Sequence, residues 1–323
     1  MTKRLFAPAI LLVALLLSAC GNHDKETASP SAGASAPSGT PSASDSTASG
    51  EAGTVTYASE RGSVEVPAHP KRIVALSYAP NVLSLGGTIV AVDQWSAANP
   101  LFKDKLAGVP VVSEDDLEKI IEADPDLIIA GTEMKNLDKL SDIAPTVAFT
   151  WGKLDYLAQQ VAVGKLLGQE PQAQAWADDF QRRAADIGSR IKAKEGEDVT
   201  VSVFETDAKN FYVFGNNFAR GTEVLYQAMG LNMPEKVAKD ALGPGYYTLS
   251  TEVLADYAGD YLVVCRPAAG DNSFMKTESW NSIPAVKNGH VIEVDAEASS
   301  YSDPTTLEYL MNIFKEGFLG SAS

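Results

Sequence analysis

The sequence is poor in cysteine, in histidine and in long apolar runs. Its 323 residues include two cysteines and three histidines, so a disulfide framework and a metal site of clustered Cys and His are both disfavoured. Beyond the N-terminal residues, no stretch is long and apolar enough to span a membrane. Basic residues are also scarce, and the formal net charge is −16. This charge argues against nucleic-acid binding, which needs a basic face, but it identifies no partner.

Motifs that mark common enzymes are missing as well. The sequence contains no G-x-S-x-G elbow, no P-loop and no G-x-G-x-x-G. His69 precedes a proline and His290 lies in a predicted turn, and neither has metal ligands or a nucleophile at a suitable spacing. Cys265 lies in an apolar run, which is typical of a buried, inert thiol. Direct metal binding is therefore not expected, and an exported hydrolase is kept as the alternative of another class.

The N-terminus has the layout of a secretory signal. Lys3 and Arg4 precede an apolar run at residues 5–17, which is too short to span a membrane. Residues 17–21 read LSACG and resemble a bacterial lipobox, which implies cleavage before Cys20 and a diacylglycerol on its sulfur. The alternative is an ordinary signal peptide with an incidental cysteine. We expect a signal peptide at residues 1–19, then lipidated Cys20 and a flexible linker, rich in Ser, Ala and Pro, at residues 20–53.

Residues 171–194 predict one long helix at the centre of the chain. Pro171 suits a first helical turn, and a helix of this length would span about 35 Å. Its apolar residues recur every three or four positions, as on one face of a helix: Ala173, Trp176, Phe180, Ala184, Ile187 and Ile191. Strands and helices alternate on both sides of it. We therefore predict an α/β fold of two lobes with mainly parallel sheets, at residues 54–168 and 196–323, joined by a helix at residues 169–195.

Ligands of open α/β sheets bind beyond the carboxyl ends of the strands. In the first lobe we predict a hairpin and then strands at residues 72–76, 89–92, 109–112, 126–130 and 146–149. Tyr78, Trp95 and Trp151 each follow one of these strand ends, so they would converge on one edge of the sheet. For any one of these aromatic residues, packing in the core is the alternative explanation. In the second lobe we predict strands at residues 199–204, 211–214, 246–249, 261–265 and 291–294, and a helix at residues 220–229.

A pattern of the first lobe recurs in the second. Residues 116–129 and 250–263 both read as a helix, a turn, an aspartate and a strand. Glu118 and Glu252 occupy the same place in the first turn of the two helices. A glutamate there stabilises the helix N-terminus through the macrodipole, which explains both residues locally. The functional alternative is that one carboxylate per lobe offers matched anchors to a two-fold partner.

Several segments in order resemble a known family. Residues 71–76, 117–129, 215–221, 249–252 and 259–261 resemble bacterial iron–siderophore substrate-binding lipoproteins of ABC importers, and are most similar to the ferric-hydroxamate branch. The resemblance implies the class III periplasmic-binding-protein fold and a ferric siderophore as ligand, with iron held by the siderophore and no cofactor of the protein's own. It also implies a monomer at the outer face of a Gram-positive cell membrane. A ferric catecholate, cobalamin or haem is the alternative ligand.

The resemblance also implies roles for particular residues. Tyr212, Phe218 and Arg220 match the ligand-binding aromatic and arginine positions of the second lobe, and relatives often have Trp in place of Phe218. In the first lobe, Trp151 stands where relatives often have Tyr. Tyr78 and Trp95 are added as ligand-binding candidates. Arg266 ends a strand and is either a second donor to the ligand or part of a surface salt bridge. The resemblance further implies that Glu118 and Glu252 dock onto arginines of the two permease subunits.

Overall fold

Short buried strands alternate with helices through most of the chain, as the sequence pattern predicts. The computed structural model describes residues 53–206, 210–267 and 270–320. The predicted signal peptide, Cys20 and nearly all of the linker lie outside these residues. None of the described helices combines the length and the apolar character that crossing a membrane requires.

The first lobe holds a parallel sheet preceded by an antiparallel hairpin. Its strands and helices are β1 (Thr54–Ser59), β2 (Gly62–Pro67), β3 (Ile73–Ala75), α1 (Ala79–Ser84), β4 (Ile89–Val92), α2 (Gln94–Ala98), α3 (Leu117–Glu122), β5 (Leu127–Gly131), α4 (Leu137–Ser141), β6 (Thr146–Phe149) and α5 (Tyr156–Leu166). The hairpin is β1-β2, and the four-stranded sheet has the order β4-β3-β5-β6 with every pairing parallel. Strand β5 is buried along its whole length, because helices cover both faces of a parallel sheet.

The predicted strand at residues 109–112 is wrong. That segment forms a single isolated bridge, between Val92 and Val111. The backbone N–H groups of Val92 and Val112 take part in this contact, through the carbonyls of Pro110 and Val92. Pro110 has no N–H of its own, so the hydrogen-bond ladder cannot extend along the segment.

The long helix α6 spans Glu170–Glu195, which is 26 residues. At the rise of an α-helix this corresponds to about 39 Å. Pro171 lies in its first turn and the helix ends at Gly196, whose φ of 108° is accessible to glycine at little cost. The helix connects the two sheets, and the predicted fold of two α/β lobes joined by one long helix is confirmed.

The second lobe is built on a five-stranded mixed sheet. Its strands and helices are β7 (Val201–Thr206), β8 (Phe211–Phe214), α7 (Glu235–Ala241), β9 (Tyr246–Leu249), α8 (Leu254–Tyr257), β10 (Tyr261–Arg266), α9 (Glu278–Ser282), α10 (Pro284–Lys287), β11 (Val291–Asp295) and α11 (Pro304–Leu319). The strand order is β11-β10-β7-β8-β9. Strand β10 is parallel to both of its neighbours, whereas β7, β8 and β9 form an antiparallel meander. The helix predicted at residues 220–229 is a π-helix at Glu223–Ala228.

One buried face of α6 belongs to both hydrophobic cores. Ala173, near its beginning, packs in the core of the first lobe. Phe180, Ala184 and Ile191 lie in the core of the second lobe. Gly188 lets the helix approach the chain closely, because a Cβ at this position would lie 1.9 Å from the carbonyl oxygen of Met229. The helix is therefore a structural part of both lobes, embedded mostly in the second.

Polar contacts join α6 to α11. The indole ring of Trp176 is half-buried, stacks on Phe180 with a centroid distance of 5.3 Å and donates a hydrogen bond from Nε1 to Glu308 at 3.1 Å. Arg183 donates to the same carboxylate at 2.9 Å and also to Asp179 at 2.6 Å. Trp176 lies on the predicted apolar stripe, and its indole nitrogen makes a polar contact as well.

A second connection between the lobes lies in residues 296–303, between β11 and α11. Asn99 of the first lobe donates from Nδ2 to the carbonyl oxygen of Glu297 at 2.6 Å. The hydroxyls of Ser96 and Tyr301 are 3.1 Å apart, and the ring of Tyr301 meets Phe102 edge-on at 5.8 Å. Both α6 and this segment thus connect the two lobes.

Candidate functional site

A cleft of about 390 Å³ lies between the two lobes. The first lobe supplies residues that directly follow β3, β4, β5 and β6, and the second lobe supplies residues 217–220, Glu223 and residues 300–303. The cleft thus lies at the carboxyl edge of the first sheet, where an open α/β sheet places its ligand site.

Tyr78 forms part of the cleft wall in the first lobe. It immediately precedes α1 and has a left-handed backbone with φ of 58°. Its ring meets Phe149 edge-on at 5.4 Å. Burial, with smaller contributions from the carboxylates of Glu133 and Glu60, raises the pKa of Tyr78 to about 12. The phenol therefore stays protonated at neutral pH and can donate a hydrogen bond.

Trp95 and Trp151 present their rings to solvent beside the cleft. Their exposed fractions are 72% and 68%, unusually high for tryptophan. Thr150, the residue before Trp151, is held by Glu60 of the β1-β2 turn, which accepts from its Oγ1 at 2.6 Å and its N–H at 3.2 Å. The hairpin therefore positions the loop that carries Trp151, and two large aromatic faces are available to a ligand.

Phe218 and Arg220 face these rings from the second lobe. Phe218 meets Trp151 edge-on across the cleft with a centroid distance of 5.8 Å. Arg220 forms a bidentate ion pair with Glu205, in which Nε and Nη2 lie 2.7 and 3.1 Å from the carboxylate oxygens. Its guanidinium also lies 5.2 Å from the ring centre of Phe214. These contacts engage Nε and Nη2 of a group with five N–H donors, so further donors are available to a ligand.

The backbone beside Arg220 is strained. Ala219 and Arg220 are consecutive non-glycine residues with φ of 56° and 57°, a left-handed conformation that such residues seldom adopt. The Arg220 N–H donates to the carbonyl oxygen of Ser299 at 2.8 Å, and the Ala219 N–H donates to Glu223 at 2.9 Å. Strain of this kind is concentrated at functional sites, where surrounding contacts maintain it.

Buried polar side chains form the floor of the cleft. Glu223 accepts hydrogen bonds from the Ala219 N–H and from the hydroxyl of Ser302, at 2.9 and 3.1 Å, and burial raises the pKa of its carboxyl. Asp303 caps α11 by accepting from the Thr305 N–H at 2.9 Å, and burial raises its pKa to about 6. Gln159 of α5 lines the same cleft and is also buried.

The residues of this floor, and Tyr301, were not predicted as site residues from the sequence. Tyr301 lines the cleft and follows β11, which was predicted as a strand. The rule that nominated Tyr78 and Trp95, namely inspection of residues beyond strand ends, would have found it. For Glu223 and Gln159 no such signal exists, because a polar residue in a helix is typical of a solvated face.

The structure brings together most of the predicted ligand-binding residues and separates two of them. The residues on the cleft are Tyr78, Trp95, Trp151, Phe218 and Arg220. Tyr212 does not line the cleft; its ring packs against that of Tyr246 at 6.0 Å. Arg266 does not line it either and donates from Nε to Glu293 of the neighbouring strand at 2.9 Å, as in the salt-bridge alternative.

Glu118 and Glu252 are both exposed. Glu118 lies in the first turn of α3, and Glu252 lies in a 3₁₀ turn, Thr251–Val253, that leads into α8. Hydrogen bonding to the Ser250 side chain is the main cause of a lowered pKa for Glu252, which keeps it ionised. In the first lobe α3 precedes β5, and in the second lobe the 3₁₀ turn and α8 precede β10. A helix that returns antiparallel to the next parallel strand begins at the carboxyl edge of the sheet, so each glutamate lies toward that edge.

Comparison with known proteins identifies the family. Residues 73–298 match the model of the family described as Periplasmic binding protein. The chain is 36% identical to the iron(3+)-hydroxamate-binding protein FhuD of Bacillus subtilis over 95% of each chain, and 35% identical to YxeB of the same organism, also named an iron(3+)-hydroxamate-binding protein, over 81% of this chain and 84% of YxeB.

Among solved structures, FhuD2 of Staphylococcus aureus with bound ferrioxamine B is similar, with a TM-score of 0.73 and 37% identity, covering 79% of this chain and all of that one. The family match extends from β3, at the start of the first sheet, to the segment that joins β11 to α11. It therefore takes in most of both lobes, the long helix and most of the cleft, while the hairpin, α11 and the cleft residues 300–303 lie outside it. The chain belongs to the periplasmic binding protein family.

Proposed function

We propose that this protein captures a ferric siderophore of the hydroxamate type and delivers it to the permease of an ABC importer. The observation that carries the proposal is the preformed cleft, whose walls are aromatic rings from both lobes and whose lining includes the guanidinium of Arg220. The protein's role is binding and delivery, and no step of chemistry on the ligand is needed.

The chemistry of such a complex suits the cleft. A siderophore saturates its iron with oxygen ligands, so the protein needs apolar walls and a few well-placed donors instead of metal ligands. The volume of about 390 Å³ lies in the range of small-molecule sites. Trp95, Trp151 and Phe218 can pack on the organic shell of the ligand, while Arg220 can donate charge-assisted hydrogen bonds to the negative oxygens around the metal.

The charges of the cleft favour hydroxamates over catecholates. Among the lining residues that the structure describes, Arg220 is the only basic one, and its charge is balanced by Glu205. The lining also includes the acidic residues Asp93 and Glu133. A ferric tris-catecholate carries several negative charges and would enter an acidic cleft at an electrostatic cost, whereas ferric trihydroxamates are neutral or cationic. The names of FhuD and YxeB and the ferrioxamine complex of FhuD2 support the same ligand class.

The proposal extends to location and partners. The lipobox-like segment supports an anchor at Cys20 on the outer face of a Gram-positive cell membrane, with residues 20–53 as a tether. Glu118 and Glu252 are proposed to dock onto the two permease subunits. A monomer is proposed as the binding unit.

The ligand class is tested by titrating the chain that starts at Gly21 with a panel of ferric siderophores and following tryptophan fluorescence. Ferric trihydroxamates should quench at sub-micromolar concentrations because Trp95 and Trp151 flank the cleft. Ferric catecholates, haem and cobalamin should bind more weakly. If no hydroxamate binds, or if a ligand is turned over, the proposal is wrong.

Replacement of the cleft arginine should weaken binding. Arg220→Ala should reduce hydroxamate affinity roughly 10- to 100-fold, the value expected for hydrogen bonds to a charged group. Arg266→Ala is the matched control, since Arg266 pairs with Glu293 outside the cleft, and it should bind as the unmodified protein does. Calorimetric titration measures both. A loss of affinity in Arg266→Ala, with none in Arg220→Ala, would show that the ligand binds elsewhere.

Removal of both exposed glutamates should separate binding from delivery. Glu118→Ala combined with Glu252→Ala should keep siderophore affinity and abolish uptake of radiolabelled iron by cells. Glu122→Ala combined with Glu235→Ala changes the same charge at other exposed helix positions and should leave uptake normal. Normal uptake in the first double variant would favour the local explanation, in which each glutamate only stabilises its helix.

The membrane anchor is tested with Cys20→Ser. This variant cannot carry a thioether-linked diacylglycerol, so it should be released into the medium or accumulate as uncleaved precursor. Cell fractionation and incorporation of a labelled fatty acid distinguish these products from the lipidated protein. Complete retention of mature Cys20→Ser in the membrane fraction would contradict the proposed anchor.

A further inference from the structure

One buried amide group on the floor of the cleft has no hydrogen-bond partner. Gln159 is 8% exposed and lines the cleft. Its side-chain Nε2 is buried and makes no hydrogen bond within the part of the chain that the structure describes. Among the described residues, the other buried side-chain atom without a partner is Oδ1 of Asn272, which does not line the cleft.

Gln160, the next residue of α5, is a buried amide with a structural role. Gln160 is also buried, and both ends of its amide are paired. Its Oε1 accepts from Asn81 at 2.8 Å, and its Nε2 donates to the hydroxyl of Ser84 at 2.9 Å. Consecutive glutamines on one helix therefore differ: one has its hydrogen bonds supplied by the protein, and the other has a donor without an acceptor.

The acceptors of the cleft floor are already engaged with other donors. Glu223 accepts from the Ala219 N–H and from Ser302, and Asp303 accepts from residues of the first turn of α11. An unpaired buried donor costs free energy comparable to that of a lost hydrogen bond, and native proteins seldom keep one without a reason. At the floor of a ligand cleft, an acceptor that arrives with the ligand is such a reason.

We infer that Gln159 is a further ligand-binding residue, whose side chain rotates when the ligand enters, so that the buried Nε2 donates a hydrogen bond to an uncharged carbonyl oxygen of the bound siderophore. This inference rests on the proposed function. The two residues would then bind different oxygens of the ligand. Arg220 is suited to the negative oxygens around iron, whereas the neutral amide of Gln159 is suited to an amide carbonyl of the chelator backbone. Gln159 would then help to distinguish hydroxamates whose backbone presents such a carbonyl.

The test compares Gln159→Met with Gln160→Met, using ferrioxamine B as the probe. Methionine has a similar length and volume but no donor. Gln159→Met should weaken binding about tenfold, as the loss of one hydrogen bond predicts, and its melting temperature should be unchanged or higher because an unpaired buried donor is removed. Gln160→Met should show the opposite: a lower melting temperature, because Asn81 and Ser84 lose their partner, with unchanged affinity.

A second replacement tests the donor directly. Gln159→Glu keeps the shape of the side chain but, when ionised, offers acceptors only. It should weaken binding at least as much as Gln159→Met. Circular dichroism and calorimetric titration measure folding and affinity for all variants.

Two results would overturn the inference. Unchanged affinity of Gln159→Met would show that the ligand does not use this donor, and a loss of stability without a loss of affinity would assign Nε2 to a structural water. These outcomes differ from failure of the proposed function, in which the unmodified protein itself would fail to bind ferrioxamine B or any other ferric hydroxamate, and the inference would fall with it.

Discussion

The division of one helix between two hydrophobic cores is the constraint on which the rest of this structure depends. Ala173 packs in the core of the first lobe, whereas Phe180 and Ile191 pack in that of the second. Protein interiors are close-packed, so neither lobe can slide along α6 without opening a cavity in its own core. The contact of Gly188 with Met229 limits rotation in the same way. The separation of the lobes, and with it the width of the cleft, is therefore largely set by folding and not by the ligand.

The segment of residues 296–303 adds a second constraint near the cleft. Asn99 is buried and bonded to the backbone of this segment, and Ser96 meets the hydroxyl of Tyr301. Wide opening about α6 would break both hydrogen bonds, each of which contributes about 1 kcal/mol to the closed arrangement. Tyr301 is itself part of the cleft lining, so the site and the connection between the lobes share a residue. We therefore expect that movements on binding are small.

The periodicity of the sequence predicts the helices and strands of the fold, but it does not predict which side chains pair with each other. The stripe of α6 and the apolar run of β5 could be read from the sequence, because each pattern is produced by burial of one element. The predicted role of Arg266 depended on a neighbour that the sequence does not specify, namely Glu293 on the adjacent strand. The buried amide of Gln159 could not be foreseen either, since the sequence does not show which polar residue of a helix is buried without a hydrogen-bond partner.

The proposed site would combine aromatic packing with polar recognition, and both sets of side chains are largely in position without a ligand, so we expect little closure on binding. The aromatic walls already meet across the cleft, with Trp151 edge-on to Phe218 at 5.8 Å, so apolar surface from both lobes is assembled before a ligand binds. Arg220 is likewise held in place by Glu205 and by a strained backbone that the surrounding hydrogen bonds maintain. Because folding already orders the aromatic rings and the Arg220 side chain, binding need not supply the free energy for ordering them. In the proposed function, selectivity would depend on where donors of the cleft meet ligand oxygens, with a charged donor at Arg220 and, by our inference, a neutral donor at Gln159.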